Sequence, residues 1–141
     1  MKKLIDITPI NTDGMLLIAR VAIGILMLVH GLPKLVILMS GEAASFPAVL
    51  GMSPHLSLGL AVFAEVFCSI FILVGLGTRL AVIPLITTML VAVFYIHMAD
   101  PFAKQELGLH YLLVYVMLFI AGSGRYSFDR MLTEKINSSD A

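Results

Sequence analysis

Residues 15–39 read MLLIARVAIGILMLVHGLPKLVILM, and Arg20, His30 and Lys34 are the only ionisable side chains in this run. The run is longer than the roughly 20 apolar residues that a helix needs to cross a bilayer. A charged side chain at the centre of such a helix costs about 2.5–3.5 kcal/mol, so it normally faces a bundle interior and a partner. The stretch therefore predicts a membrane-spanning helix with one polar face buried against other helices.

Three further apolar stretches have the same character, at about residues 56–76, 79–99 and 107–124. Across the whole chain, 60% of residues are hydrophobic and only 13% are charged, with a mean hydropathy of +1.02. Soluble domains carry about 25% charged residues. The sequence therefore predicts an all-α integral membrane four-helix bundle inserted in the lipid bilayer.

Turn and breaker residues divide the chain into three parts. Glycines at 75 and 77 predict a tight turn between the second and third spans, and Asp100-Pro101 predicts the end of the third helix. The expected organisation is an N-terminal segment at 1–14, a membrane domain at 15–124 and a polar tail at 125–141. The first apolar run is too long for a cleavable signal, so we expect it to be retained as an anchor.

The basic residues predict the orientation, because cytoplasmic loops carry an excess of Lys and Arg. With four spans, the N-terminus, the second loop and the C-terminus lie on one side, and the first and third loops lie on the other. The first side holds six basic residues: Lys2, Lys3, Arg79, Arg125, Arg130 and Lys135. The second side holds Lys104, with Lys34 near its border. Both termini are therefore expected in the cytoplasm, as in a multi-pass protein of the bacterial inner membrane.

Charge and cysteine usage exclude several functions. The formal net charge is zero, which gives no support for nucleic-acid binding. Cys68 is the only cysteine, so the chain has no internal disulfide and no CxxC motif. Because the chain carries no haem, flavin or cluster motif, electrons for any redox reaction must come from a partner or a substrate.

Helical spacing predicts which polar residues meet. Arg20, Gly24, Gly31 and Lys34 fall on one stripe of the first helix, and Glu65 lies on a face of the second helix that is otherwise small and polar. Small residues let membrane helices approach closely. We therefore expect these two faces to pack together, with either Arg20 or Lys34 neutralising Glu65.

The histidines form a second pattern. The predicted topology places all four in the outer half of the membrane or at its outer boundary, together with Asp100, Glu106 and Tyr111. The histidines are His30, His55, His97 and His110. They have no metal-ligand spacing, so we predict no metal site. Tyr111 and Tyr115 fit an interfacial aromatic belt as well as a ligand site.

The order of these motifs resembles the DoxX family of small four-helix membrane proteins, over roughly residues 15–130. The resemblance rests on LLIARVAIGILMLVHGLPKL in the first span, AEVFCSIFILVGLGTRLA across the second and third, and GSGRYSFDRML after the fourth. The chain has Gly122-Ser123-Gly124 where the family often has Gly-Pro-Gly. Membership implies a four-helix bundle of the cytoplasmic membrane. It also implies a role with soluble partners in quinone-linked oxidation of thiosulfate or in oxidative and thiol stress.

Three functions remain open at this point. The first is a subunit of a quinone-linked or stress-related membrane oxidoreductase, with a soluble redox partner and a quinone bound in the bundle. Its expected catalytic residues are Glu65, His30 and His97, and its expected quinone-binding residues are Arg20, Lys34, Glu65 and Tyr111. The second is a proton relay or small transporter, which needs a homo-oligomer to form a pore wall. The third is a non-catalytic assembly subunit whose charges form a structural network.

Overall fold

The computed structural model describes residues 11–139, and within this range all regular secondary structure is helical. Residues 1–10 of the predicted N-terminal segment (1–14) lie outside the described residues. The last two residues of the predicted tail lie outside them as well. The main helices are α1 (Thr12–Ser40), α2 (Pro54–Val74), α3 (Thr78–Ile96), α4 (Phe102–Ala121) and α5 (Phe128–Ser139).

The helix ends follow from local chemistry. The side chain of Asn11 caps α1 by accepting a hydrogen bond from the backbone N–H of Gly14 at 2.8 Å. Ser53 caps α2 in the same way, with Pro54 in the first turn. Gly75 ends α2 with a φ of 74°, a conformation that glycine adopts without strain. Pro33 lies inside α1, which is helical from Thr12 to Ser40.

Three helices, α1, α2 and α3, are long and apolar enough to cross a membrane. The fourth long helix, α4, has three consecutive polar residues near its start, Lys104, Gln105 and Glu106. Beyond them, α4 exposes apolar side chains such as Leu113, Met117 and Ile120. Large apolar side chains are likewise exposed along α1, α2 and α3, which is the expected surface of a protein that faces hydrocarbon.

Close packing between α1 and α2 depends on two glycines, as the small residues of the polar stripe predicted. A Cβ atom added at Gly24 would lie 2.7 Å from Cγ of Leu73, and one added at Gly31 would lie 2.9 Å from the backbone of Glu65. The larger core cluster then joins all four long helices through residues such as Met27, Leu85 and Tyr115. This packing brings the polar faces of the helices together in the bundle interior.

The segment between α1 and α2 folds back onto the bundle. It contains a short 3₁₀ helix, Ala43–Ser45, whose first residue is fully buried against Leu58 and Val62. The backbone N–H of Val49 donates a hydrogen bond to Oγ of Ser57 in α2 at 3.1 Å. The segment therefore covers one end of the α1–α2 contact.

At the other end of the bundle, the predicted tail forms a helix that the sequence analysis did not foresee. The carboxylate of Asp129 accepts hydrogen bonds from the backbone N–H groups of Gly77 at 2.7 Å and Thr78 at 3.3 Å. Nearby, the carboxylate of Asp13 accepts a hydrogen bond from the backbone N–H of Arg125 at 2.9 Å. The start of α1, the α2–α3 turn and the end of α4 therefore meet at this end.

Candidate functional site

An ion pair between α1 and α2 forms the centre of the candidate site. Nζ of Lys34 lies 2.5 Å from Oε1 of Glu65. The side chain of Glu65 is 2% exposed and that of Lys34 is 30% exposed. The second carboxylate oxygen of Glu65, Oε2, is buried and has no hydrogen-bond partner within residues 11–139. The carboxylate thus keeps one acceptor atom available in a place where an unmet hydrogen bond is costly.

Two π-helical turns flank this ion pair. One spans Phe63–Cys68 in α2 and contains Glu65, and the other spans Ala92–Ile96 at the end of α3. A π turn inserts one extra residue into a helix, and such turns occur frequently at functional sites. Glu65, Ala92 and Val93 from these two turns line a cavity beside the ion pair.

A cavity of about 200 Å³ with a mixed polar and apolar lining lies on one side of the ion pair; it is the more polar of two cavities at the pair and is called the polar cavity. Its ionisable and aromatic lining residues are His30, Lys34, Glu65, His97, Lys104 and Tyr111. The rings of His30 and Tyr111 are in edge-to-face contact, with centroids 5.8 Å apart. The structure therefore brings together His30 from α1, Glu65 from α2, His97 from the end of α3 and Tyr111 from α4.

A carboxylate and an amide hold His97 in place. Nδ1 of His97 lies 2.7 Å from Oδ2 of Asp100, and Nε2 of Gln105 donates to the backbone carbonyls of His97 at 2.9 Å and Asp100 at 3.2 Å. An ionised Asp100 can only accept, so Nδ1 of His97 carries the proton and Nε2 is left for other partners. Asp100 lies between α3 and α4. The hydrogen bond with His97 holds its carboxyl pKa below the ordinary value of 3.8; burial opposes this shift, and the charge of Lys104 adds to it.

An apolar cavity of about 150 Å³ lies on the other side of the ion pair. It shares Lys34, Glu65 and Ala92 with the polar cavity. Most of its other lining residues are apolar, and they come from α2, α3 and the α1–α2 segment: Phe46, Val49, Leu50, Met52, Leu60, Ala61, Val91 and Ile96. The ring centroid of Phe46 lies 6.0 Å from Nζ of Lys34. The ion pair therefore lies between a cavity of mixed lining and a mainly apolar one.

Comparison with known proteins gives one match. The DoxX family model matches residues 15–98, which cover most of α1, all of α2 and α3, and His97. The chain belongs to the DoxX family. With three helices able to cross a bilayer, this DoxX protein is a multi-pass membrane protein. The match ends before α4, and no curated protein or solved structure gives a significant match.

Arg20 lies outside the candidate site of this DoxX protein. Its guanidinium group is fully buried near the other end of the bundle, where it donates to the backbone carbonyls of Ile72 at 3.1 Å and Tyr126. The sequence left open whether Arg20 or Lys34 neutralises Glu65, and the structure selects Lys34. The reason is depth, because Arg20 reaches α2 about two helical turns away from Glu65.

Only some of the polar residues that were predicted near the outer boundary line the same cavity. His30, His97 and Tyr111 line the polar cavity, whereas His55, Glu106 and His110 line neither cavity. Among residues 11–139, no three His, Cys, Asp or Glu side chains are arranged to hold a metal ion. The predicted convergence of four histidines is therefore reduced to two, because His55 lies at the start of α2 and His110 is exposed on α4.

Sequence reasoning missed several contributors to the DoxX site. Gln105 was not considered, although a polar residue shortly after Asp100-Pro101 is well placed to bind the carbonyl groups left free where α3 ends. Phe46 was not predicted either, since it lies in the segment that connects α1 to α2 and not on a membrane-spanning helix. Nothing in the sequence marks the two π turns, since they depend on how α2 and α3 pack.

Proposed function

We propose that this DoxX protein is the membrane subunit of an oxidoreductase in which a quinone accepts electrons beside the Lys34–Glu65 pair. The observation that carries the proposal is the buried, unpartnered Oε2 of Glu65 next to an ammonium group, between a polar and an apolar cavity. A quinone carbonyl accepts hydrogen bonds and a hydroquinone hydroxyl donates them. The ion pair offers both a donor and an acceptor, so it complements both forms of the substrate.

The chemistry requires a balanced supply of electrons and protons. Reduction of a quinone to a hydroquinone takes up two electrons and two protons, one proton on each oxygen. We infer a thiol as the electron donor, following the thiol-linked roles that the family resemblance implies. Two thiols then become a disulfide and release the two electrons and two protons that the quinone takes up.

Five of the residues that line the polar cavity have roles in this proposal. Lys34 donates a hydrogen bond to a quinone carbonyl oxygen, and Glu65 accepts one from the hydroxyl that forms. His97 exchanges protons between the cavity and water, with Asp100 as its positioning residue. His30 and Tyr111 bind the ring from α1 and α4. The sequence suggested Arg20 as a quinone-binding residue, but it has no such role in this proposal because it contacts backbone carbonyls elsewhere.

We also infer four membrane spans, with both termini in the cytoplasm of a bacterial cell. The hydrogen bond between Arg125 and Asp13 supports this arrangement, because it joins the end of α4 to the start of α1. A chain whose first and last spans meet in this way crosses the membrane an even number of times. Reporter fusions after residue 141 and within residues 98–101 test the topology, and the first is expected in the cytoplasm and the second outside.

Quinone reduction by purified protein tests the redox proposal. Detergent-solubilised protein is mixed with decylubiquinone and a thiol such as glutathione, and the quinone absorbance is followed. We expect turnover above the uncatalysed rate, lowered at least tenfold in Glu65→Gln and Lys34→Met. Glu106→Gln is the matched control, because Glu106 is exposed and lines neither cavity. Wild-type protein that neither binds nor reduces the quinone contradicts the proposal.

A proton relay is the second candidate, and a set of buried polar atoms supports it. Besides Oε2 of Glu65, the hydroxyls of Ser69 and Tyr115 and Nε of Arg20 are buried without a partner within residues 11–139. Ser69 follows Glu65 by one helical turn, in the direction of Arg20. Proton flux into liposomes that is lost in both Glu65→Gln and Tyr115→Phe supports a relay. Flux that is absent from wild-type liposomes excludes it.

A further inference from the structure

We propose that the apolar cavity holds the hydrocarbon tail of the substrate, so that the substrate is a lipid-borne quinone and not a small water-soluble one. This inference rests on the proposed function, since it places the quinone ring in the polar cavity. It adds a second subsite and a route by which the substrate enters. The subsite lies between α2, α3 and the segment that connects α1 to α2.

The two cavities adjoin at the ion pair. Lys34, Glu65 and Ala92 line both of them, and Ala92 is the smallest side chain of the three. Their volumes of about 200 and 150 Å³ together reach the lower end of the roughly 300–1,000 Å³ range of small-molecule sites. A ligand with a polar ring and an apolar tail can therefore occupy both sides of the ion pair.

The polar atoms in the wall of the apolar cavity are already engaged. The hydroxyl of Thr87 donates to the backbone carbonyl of Ile83 at 3.0 Å, and that of Thr88 donates to the carbonyl of Pro84 at 2.9 Å. Oγ of Ser57 accepts a hydrogen bond from the backbone of Val49. Apart from the ion pair, this wall offers a ligand mainly hydrocarbon, which favours a tail over a second polar group.

The apolar cavity is also open towards the outside of the bundle. Leu60 in α2 is 49% exposed, and Ile96 at the end of α3 is 37% exposed. Both residues belong to helices that are able to cross the membrane, so the side of the cavity between them faces lipid. A membrane quinone diffusing in the bilayer can therefore enter between α2 and α3 with its tail remaining in the apolar cavity.

Two ligands that differ only in the tail test this inference. One is the methoxy-substituted benzoquinone head group alone, and the other is the same head group with a decyl tail. Their dissociation constants are measured by native mass spectrometry, with the full-length protein in wild-type form and as Leu60→Trp. Leu113→Trp is the matched control, because Leu113 is exposed on α4 and lines neither cavity.

We expect wild-type protein to bind the decyl form at least tenfold more tightly than the head group. In Leu60→Trp the indole fills the apolar cavity, so this ratio falls towards one, whereas Leu113→Trp keeps the wild-type ratio. Because membrane partitioning of the decyl form affects all variants equally, the comparison between variants cancels it. If Leu60→Trp does not fold, Ile96→Trp tests the other end of the same cavity.

The outcomes separate the two proposals. Equal binding of both ligands by wild-type protein, or an unchanged ratio in a folded Leu60→Trp, overturns the tail subsite and leaves the proposed function standing. A bound phospholipid that neither ligand displaces also overturns the tail subsite. Binding of neither ligand overturns the proposed function together with the subsite.

Discussion

Gly31 of α1 lies so close to Glu65 of α2 that a Cβ atom on the glycine would be 2.9 Å from Cβ of the glutamate. The backbones of the two helices therefore touch at the depth of the buried carboxylate. Lys34 follows Gly31 by about one helical turn, so its side chain can reach back to Glu65. The close approach of the two helices at Gly31 therefore places Lys34 within reach of Glu65.

Replacing Gly31 with alanine should separate α1 from α2. The added methyl group would meet backbone atoms, which cannot rotate away, so we expect a loss of about 1–3 kcal/mol in the free energy of unfolding. Gly59→Ala is the matched control, because that helical glycine has open space around its Cβ position. The control should leave the free energy of unfolding unchanged or raise it by up to about 1 kcal/mol. Equal effects of the two substitutions in detergent unfolding experiments would contradict the close contact.

Replacing one residue of the ion pair should destabilise the protein more than replacing both. Breaking a fully buried pair costs about 3–5 kcal/mol, and we expect the lower end of this range because Lys34 remains partly exposed. Lys34→Met should destabilise more than Glu65→Gln, since it leaves an unpaired carboxylate at 2% exposure. The double variant should recover part of the stability lost in Lys34→Met.

The same set of variants distinguishes catalysis from assembly. In the redox proposal, the double variant folds but does not reduce quinone. In a non-catalytic assembly subunit, the double variant folds and keeps its function, because the charges serve only the structure. Growth complementation in a deletion strain, measured beside thermal unfolding, separates the two cases.

Arg20 should hold the tail to the bundle. Its guanidinium bonds to a carbonyl in α2 and to the carbonyl of Tyr126, just before α5. Arg20→Lys should not restore both contacts, because an ammonium lacks the planar fork of donors. We expect faster tryptic cleavage after Arg125 and Arg130 in both Arg20→Met and Arg20→Lys, with the lysine variant close to the methionine variant.

Asp129 should support the same junction from α5. It accepts hydrogen bonds from two backbone N–H groups at the start of α3, the role of an N-cap supplied by another helix. Asp129→Ala should cost about 0.5–2 kcal/mol. Glu134→Ala, on the exposed part of α5, is the control and should leave unfolding nearly unchanged. An effect of Glu134→Ala as large as that of Asp129→Ala would contradict this role.

The contact between His97 and Asp100 should weaken in acid. Because the folded protein holds the carboxyl pKa of Asp100 below 3.8, the contact stabilises the end of α3 above that pH. Its contribution is lost as the pH falls through the lower, folded pKa and Asp100 becomes protonated. Carboxyl chemical shifts from NMR should give a titration midpoint below 3.8, and His97→Ala should raise it. A midpoint that His97→Ala leaves unchanged would contradict the contact.

Much of the fold was predictable because it depends on local chemistry. The apolar runs predicted helices close to the observed α1–α4, and the turn at Gly75 and the break at Asp100-Pro101 follow from backbone preferences. The helix α5 was not predicted. Its sequence is short and polar, and it is held by Asp129 and Tyr126 through contacts with residues far away in the chain.

The sequence predicted some of the residues that line the two cavities, and it could not decide how the charged ones pair. Helical spacing placed Lys34 and Glu65 on facing sides, and both line the cavities. It could not choose between Lys34 and Arg20, because the relative depth of two helices depends on how they pack. The apolar cavity was not foreseen either, since its wall includes a folded connecting segment as well as two helices.

The amino-acid sequence is sufficient to predict that this chain forms apolar helices able to cross a membrane and carries ionisable residues that must be buried. Both follow from composition and period, which are properties of short stretches of chain. Helix packing is needed to show that Lys34 pairs with Glu65, that Arg20 binds backbone carbonyls, and that the ion pair lies between a cavity of mixed lining and an apolar one. Those outcomes depend on helix depth, on the contact at Gly31 and on two π turns, and distances between separate helices set all of these.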